Sequence, residues 1–339
     1  MSTLKVDAIR HNSATSDAIT MVSDGTCTGK ITNYPHRNLF LNGAVNVSQR
    51  GDSYASAYTY KADQWYIFPT GSTTTRLTTS PPDGFTYYFR CASATASIIF
   101  SQQIELEVQG EVGKYKNKTV TVSWYARSES SNTMYVDAAF KNNSGGGDYT
   151  SIVAGSGSAQ SITSSWARYT QTFTISATPH ANNTCFSVMI RTPSGQGGTL
   201  EATGFQCEFG DTATDFEHIA IAEELTRCYR YYYRLNGDNN KTYMIGMSDN
   251  DNVNIYGFVH FPVPMRTAPT GIDYGGGASD YKVRRDTTQT CTAVPAFTDA
   301  MPFYARVNFP RSGHNWGTGQ MLWCQGGSSS SYLGFSAEI

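Results

Sequence analysis

The clearest feature of this sequence is a two-residue alternation of apolar and polar side chains. In residues 119–127, Val, Val, Trp and Ala occupy every second position, and Thr, Ser, Tyr and Arg lie between them. Residues 168–175 repeat the pattern, with Tyr169, Phe173 and Ile175 opposed to Arg and Thr. A strand places such a set on one face, whereas a helix would spread it around its surface. The alternation therefore predicts antiparallel sheets with one face buried and the other in solvent.

Short strand-like runs recur along most of the chain, with turn residues between them. Further examples lie at residues 65–68, 85–90, 97–100, 104–108, 134–140, 185–190 and 200–209. Many short strands with almost no helix are typical of a sandwich or jelly roll. We therefore predict an all-β fold in which residues 37–217 form an antiparallel β-sandwich (jelly roll). Its first strand is expected at residues 37–44, closed by the turn signal Asn42-Gly43.

One helix and a second β-rich domain are expected after the sandwich. In residues 220–229, Ile221, Leu225 and Cys228 share a helical stripe, and acidic residues occupy the early turns. The tyrosine-rich run at 228–234 alternates again as a strand. We interpret residues 218–236 as a helical connector with its strand, and residues 237–339 as a C-terminal β-rich domain.

Residues 1–36 contain only short apolar fragments separated by Ser, Thr, Asp and Gly. Such a segment buries too little surface to fold by itself. It either completes its core with a partner, which predicts subunit association or an attachment site, or it is a flexible leader.

The overall composition excludes several classes of function. Charged residues make up 15% of the chain, against about a quarter in an average soluble protein, and the formal net charge is -2. No clusters of Lys and Arg indicate nucleic acid or an anionic membrane as partner. No apolar stretch is long enough for a membrane helix. The seven widely spaced cysteines, with no CxxC pair, predict buried free thiols and assembly in a reducing compartment.

No catalytic, metal or cofactor site is predicted. The histidines show neither HxH nor HExxH spacing, and the acidic turns at 238–240 and 249–251 lack the EF-hand pattern. Glu105 and Glu107 share one face of a strand-like stretch, which an exposed polar face explains without glycan hydrolysis.

Aromatic residues make up 13% of the chain, and flat rings stack well on sugars. Most rings on alternating faces, such as Trp124, are expected in the core. Rings in polar, Gly-rich loops are the better candidates for contact with a glycan or receptor. These candidates, with their neighbours, are Tyr274, His314, Asn315, Trp316 and Tyr332.

Four groups of motifs, in this order along the chain, resemble bacteriophage tail-fibre and related virion appendage proteins with a central jelly roll like that of carbohydrate-binding modules. They are STLKVDAI at 2–9 with DGT at 24–26; NLFLNG at 38–43 with QRG at 49–51 and ADQW at 62–65; the strand at 121–127 with FQCEFG at 205–210 and TDFE at 214–217; and EL at 224–225 with CYRYY at 228–232.

This resemblance implies a structural virion protein that acts as a homotrimer. Residues 1–36 would attach to other virion proteins of the tail, and the C-terminal domain would face a host surface glycan or receptor. The protein would be assembled in the host cytoplasm and act, without catalysis, on the virion. A polysaccharide-degrading tailspike and a capsid decoration protein or head fibre are the alternatives. No parallel β-helix repeats of a catalytic tailspike are evident between residues 40 and 339.

Overall fold

The computed structural model describes residues 6–13, 18–21, 23, 27–29, 35–54, 59–68, 73–93, 97–106, 115–142, 150–176, 178 and 183–339. Its regular structure is almost entirely antiparallel sheet, which confirms the predicted fold class. Near the N-terminus, β1 (Ala8–Ile9), β2 (Ile19–Met21) and β3 (Cys27–Gly29) form a small sheet. The apolar side chains of Val6, Ile9 and Met21 are exposed there, and much of the predicted attachment segment, residues 1–36, lies outside the described residues.

Two sheets form the following sandwich. Its strands are β4 (Ser53–Tyr54), β5 (Thr59–Tyr60), β6 (Tyr66–Phe68), β7 (Thr73–Leu77), β8 (Tyr88–Ser93), β9 (Ile99–Glu105), β10 (Thr119–Ser128), β11 (Asn132–Lys141), β12 (Thr150–Ala154), β13 (Gln160–Ile162), β14 (Ala167–Thr174), β15 (Cys185–Arg191) and β16 (Gly198–Phe209). The "β10 sheet" has the order β14-β10-β16-β8-β7-β4. The "β15 sheet" has the order β12-β11-β15-β9-β6-β5, with β13 also paired to β11. A 3-10 turn, Gly155–Ser158, follows β12.

The core of the sandwich lies between these two sheets, where their apolar faces meet. Trp124 of β10 is fully buried beside Tyr169 of β14, as the alternation predicted. Phe205 of the β10 sheet contacts Phe100 of the β15 sheet, with 5.4 Å between the ring centroids. Trp65 packs on Phe205 at 4.3 Å. Each large buried ring contributes about 1.5–3 kcal/mol through the hydrophobic effect.

The prediction of a strand at residues 37–44 is wrong, although the Asn42-Gly43 turn is present. Asn42 has a positive φ of 53°, and Val45 donates a backbone hydrogen bond to its carbonyl at 3.0 Å. The Asn42 amide donates to the carbonyls of Val47 and Asp63. Side chains of the distant residues Gln102 and Glu224 also bond this segment, so it lies against the sandwich as an irregular stretch instead of joining a sheet.

The connector contains an α-helix, α1 (Ile221–Tyr229). Its buried positions are Glu224 and Cys228, whereas Ile221 is exposed, so the predicted stripe was only partly right. The tyrosine-rich run was predicted as one strand, and this is wrong. The helix continues to Tyr229, and the strand that follows begins only at Tyr232.

The C-terminal region is also made of two antiparallel sheets. Its strands are β17 (Tyr232–Asn236), β18 (Thr242–Ser248), β19 (Ile255–His260), β20 (Asp273–Gly275), β21 (Tyr281–Arg284), β22 (Thr288–Thr290), β23 (Ala296–Met301), β24 (Tyr304–Asn308), β25 (Met321–Gly326) and β26 (Tyr332–Ser336). The "β26 sheet" has the order β17-β26-β20, and the "β18 sheet" has the order β22-β21-β25-β18-β19-β24-β23. A 3-10 turn, Ala278–Asp280, precedes β21. A second core lies between these sheets.

Buried polar groups connect the sandwich to the C-terminal domain. Gln49 is the centre of one group: its amide nitrogen donates to Asp63 and to the carbonyl of Tyr232, and its oxygen accepts from the amide of Arg234 at 3.0 Å. The backbone nitrogen of Gln49 also donates to Asp63 at 2.7 Å. Gln49 therefore bridges a turn of the sandwich and strand β17.

A buried ion pair forms the second connection. Arg50 donates from Nη1 and Nη2 to the two carboxylate oxygens of Glu338, at 3.2 and 2.7 Å. Its guanidinium lies 3.5 Å from the ring centroid of Tyr232. Because Arg50 belongs to the sandwich and Glu338 follows the last strand, the pair ties the end of the chain to the first domain.

Breaking this pair from one side is expected to be costly. Above pH 7, where the Glu338 carboxyl is charged, Arg50→Met leaves it buried without its cation and should lower the free energy of unfolding by about 3–5 kcal/mol, whereas Arg50→Met with Glu338→Leu should recover most of that loss. Urea unfolding measures both. Arg285→Met is the control, because its pair with Asp286 is exposed and contributes at most about 1 kcal/mol. Equal losses in Arg50→Met and Arg285→Met would contradict this prediction.

The same carboxyl predicts a pH dependence. Burial raises the pKa of Glu338 from 4.5 to about 7, with Arg50 opposing the shift. The folded state then binds more protons than the unfolded state between these values, so this group's contribution to stability falls as pH rises from about 4.5 to 7. Glu338→Gln should flatten the dependence of the urea midpoint in that window. Asp286→Asn, at an exposed carboxyl, should leave the pH dependence of the midpoint unchanged. If wild type and Glu338→Gln show the same pH dependence, Glu338 is not its source.

Candidate functional site

A cleft of about 550 Å³ opens where the sandwich, helix α1 and the C-terminal domain meet. We call it the interdomain cleft. It is lined by His36, Asn38, Leu39, Leu41, Gln64, Gln102, Gln103, Ile104, Glu105, Tyr115, Thr226, Arg227, Arg230, Tyr231, Val263 and Pro264. Neutral amides and apolar side chains dominate this lining, with a few charged groups among them. The volume is that of a site for a small ligand or one to a few sugar units.

Hydrogen bonds to the irregular segment after residue 37 hold the walls of the cleft in place. The Gln102 amide of β9 accepts from the backbone nitrogen of Leu41 at 2.7 Å and donates to the Leu41 carbonyl at 2.8 Å. Glu224 of α1 accepts from the backbone nitrogen of Asn42 at 2.7 Å. Burial raises the pKa of Glu224. Strand β9 and helix α1 are thus fixed to the same short segment.

One carboxylate lies in the cleft, and its oxygens are already bonded. Arg230 donates to both oxygens of Glu105, at 3.1 and 3.2 Å, and the Tyr231 hydroxyl donates to one of them at 2.9 Å. Glu105 was expected on an exposed polar face, and the structure instead places it in this cluster. Glu105 is the only Asp or Glu among the described residues that line the cleft, whereas glycoside hydrolysis ordinarily uses two carboxylates.

Two buried donors in the cleft wall have no hydrogen-bond partner among the described residues. They are Nε2 of Gln64, a residue only 4% exposed, and Nη1 of Arg227. Gln64 also has a positive φ of 70°, which is uncommon for a residue with a side chain. A buried, unpaired donor costs about 1–3 kcal/mol. The unpaired donors and the positive φ are both destabilising. Such features are common at binding sites, where a ligand can supply the missing acceptor oxygens.

The residues predicted from loop context do not form one site. His314 and Trp316 stack on each other at 5.0 Å but are only 1% and 8% exposed, so the expectation that they are exposed is wrong. Burial also lowers the pKa of His314. Asn315, between them, is exposed. The Gly-rich sequence indicated a loop correctly, but the loop folds its rings inward.

Tyr274 and Tyr332 lie on neighbouring strands, β20 and β26. Tyr274 is 43% exposed. Tyr332 is half-buried, with the guanidinium of Arg234 3.6 Å from its ring centroid. Gly275, next to Tyr274, is the register partner of Tyr332. Because neighbouring residues of a strand face opposite sides, the two tyrosine rings do not share a face.

Sequence reasoning missed the three hydrogen-bond donors Gln64, Arg227 and Arg230 of the interdomain cleft. Gln64 lies in the ADQW motif and Arg230 in the CYRYY motif, both of which were noted only for their order along the chain. The local feature that could have indicated these two residues is a polar side chain next to a large aromatic ring, Gln64 beside Trp65 and Arg230 beside Tyr231. Other polar clusters are turns: the Asp251 carboxylate accepts from the backbone nitrogens of Val253 and Asn254.

The remaining described side chains do not indicate metal or redox chemistry. In the described part of the chain, no group of three or more His, Cys, Asp or Glu is placed to hold a metal ion. Six cysteines are free and buried, as predicted; Cys27 falls where no side chain is described. Burial raises the pKa of Cys91 to about 12, which leaves it protonated at neutral pH. Over the same residues, no helix has the length and apolar content needed to cross a membrane.

Comparisons with known proteins give only distant likenesses. No family model and no curated protein matches the chain. Among solved structures, the CBM22-1 xylan-binding domain of Xyn10C from Paenibacillus barcinonensis is 12% identical, over 52% of this chain and 96% of that one, with a TM-score of 0.33. The enzymatically active domain of tailspike protein 4 from bacteriophage CBA120 is 12% identical, over 52% and 22% of the two chains, with a TM-score of 0.35.

A putative sugar binding protein from Bacteroides thetaiotaomicron is 10% identical, over 51% of this chain and 100% of that one, with a TM-score of 0.37. At these identities and TM-scores the likenesses carry no argument about function. The case for a function rests on the residues of this chain.

The unpaired donor of Gln64 predicts an unusual response to mutation. Gln64→Met keeps the side chain's length and removes the buried amide, so the free energy of unfolding should stay within about 0.5 kcal/mol of wild type or rise. Gln102→Met is the matched control, because that buried amide makes two hydrogen bonds and its loss should cost about 1–3 kcal/mol. Chemical denaturation compares them. Equal destabilisation by the two substitutions would show that Gln64 is paired.

Proposed function

We propose that this protein is a structural component of a phage virion, a tail fibre that binds a host surface glycan as a homotrimer. The observation that carries the binding role is the interdomain cleft with its two buried, unpaired donors. Sugar hydroxyls and carboxylates offer acceptor oxygens to an amide and a guanidinium, and apolar side chains can cover the faces of the sugar rings. The motif order along the sequence supports the virion role.

The other parts of the proposal follow from the chain's organisation. Residues 1–36 attach the fibre to other proteins of the tail, and their exposed apolar side chains suit association with a partner. Buried, protonated thiols suit assembly in the reducing cytoplasm of a host. Three linked copies raise the effective concentration of the second and third sites, so weak contacts with one glycan suffice for adhesion.

The cleft suits binding better than hydrolysis. Both oxygens of the Glu105 carboxylate already accept hydrogen bonds, from Arg230 and from Tyr231. Among the described lining residues it has no second carboxylate to work with. We therefore propose that the protein holds the glycan without cleaving it, rather than acting as a tailspike enzyme.

A binding assay with purified surface polysaccharide from a susceptible host tests this function. The double variant Gln64→Met, Arg227→Met should weaken binding at least tenfold. It removes one neutral hydrogen bond from the Gln64 amide to the glycan and one charge-assisted hydrogen bond from the Arg227 guanidinium. Tyr274→Ala is the control, because this exposed side chain of β20 was a contact predicted from sequence and does not line the cleft. Binding lost in Tyr274→Ala and kept in the double variant would move the site away from the cleft. Shortened polysaccharide chains after incubation, abolished by Glu105→Gln, would replace adhesion with hydrolysis.

A further inference from the structure

The β18 sheet is apolar on both of its faces. Its inner face carries the second core, with residues such as Leu322, Cys324 and Val307. Its outer face carries large apolar side chains that are between 46% and 65% exposed. This set, which we call the apolar sheet face, is Ile245, Met247, Phe258, Met301, Met321 and Trp323 on the strands, together with Phe303 in the turn between β23 and β24. An antiparallel sheet with one face in water is ordinarily polar on that face.

The strand register shows that these side chains form one continuous surface. Trp323 of β25 is opposite Ile245 of β18, and Met321 is opposite Met247. On the next strands, Phe258 of β19 is opposite Arg306 of β24. Opposed residues share a face of the sheet, so the patch crosses the sheet from β25 to β24. Met301 of β23 extends it to the edge, opposite Tyr304.

The size of the apolar sheet face exceeds what a lone soluble protein usually exposes. A large apolar or aromatic side chain that is half exposed presents about 100 Å², so the seven residues present roughly 700 Å². The largest patch on a typical monomer is about 300–600 Å². A stable interface buries about 800 Å² on each partner. The patch, with the half-buried Tyr256 and Tyr304 beside it, is therefore of the size that a subunit interface needs.

Charged side chains flank the patch at both ends. At the β21 end, Arg284 is exposed opposite Trp323 and lies 5.7 Å from its ring centroid. At the β23 end, Asp299 is 52% exposed and is already paired with Arg306 of the same face, at 3.8 Å. The rim of the patch is therefore polar and its centre apolar, as in protein interfaces.

We propose that the apolar sheet face is the subunit interface of the C-terminal domain. In this arrangement the apolar sheet face of each copy is covered by the same face of its neighbours. Three copies close the ring, and the three β18 sheets then surround a common axis. This proposal rests on the proposed homotrimer and assigns it an interface that is separate from residues 1–36.

A second copy explains the patch better than a glycan does. Sugars bind to flat rings flanked by hydrogen-bonding groups, whereas six of the seven side chains are Met, Ile or Phe without a polar atom able to bind a hydroxyl strongly. Methionine adapts to irregular apolar surfaces and is enriched at protein interfaces. A ligand platform built on Trp323 is the alternative outcome of the test.

Analytical ultracentrifugation of the full chain, without glycan, measures the assembly. Wild type should sediment at about three times the chain mass of 37.1 kDa. Ile245→Glu and Met321→Glu place a charge in the buried centre of the interface and should each raise the concentration for half-assembly at least tenfold. Ile221→Glu is the matched control, because that side chain is equally exposed on helix α1 and away from the β18 sheet. Far-UV circular dichroism confirms that each variant is folded.

A wild-type monomer, or a trimer that survives both glutamate variants, overturns the proposed interface. Variants that stay trimeric and lose only polysaccharide binding identify the face as a ligand platform, which also overturns it. Loss of glycan binding by cleft variants does not affect the sedimentation result, so the two proposals fail independently.

Discussion

The buried pair of Arg50 and Glu338 is the interaction on which the arrangement of the two domains depends. It joins a turn of the sandwich to the residue before last of the chain, and the Arg50 guanidinium also covers the Tyr232 ring. Gln49 adds hydrogen bonds from the same turn to strand β17. Taking these groups out of water is costly unless each one finds its partner. The geometry of the junction is therefore strongly specified, and a displaced domain would leave several buried polar groups unsatisfied.

The interdomain cleft exists because this junction holds three elements in fixed positions. Strand β9 supplies Gln102 and Glu105, helix α1 supplies Arg227, and the turn next to the junction supplies Gln64. Around the cleft, Nε2 of Gln64 and Nη1 of Arg227 have no partner among the described residues, which costs stability at these two positions. The apolar sheet face is a second feature that folding of one chain does not explain, because it exposes apolar surface that a single chain would ordinarily bury.

Much of the fold was predictable because its signals are local. The strands at 119–127 and 168–175 appear as β10 and β14, since one buried face requires a period of two. Buried cysteines also follow from neighbouring apolar residues. The errors occur where contacts between distant residues outweigh local pattern. Residues 37–44 are held by side chains from residues 102 and 224, and the rings of the 314–316 loop turn inward.

The sequence by itself determined the class of fold, the main strands, the helix and the low charge of the chain, because these depend on composition and on periods of a few residues. Only the tertiary structure decided which polar groups meet in the cleft, which rings are exposed, and that the β18 sheet is apolar on both faces. The cleft brings together Gln64, Glu105 and Arg227, which are far apart in the sequence. Only the register of the sheets and the docking of the domains place them side by side.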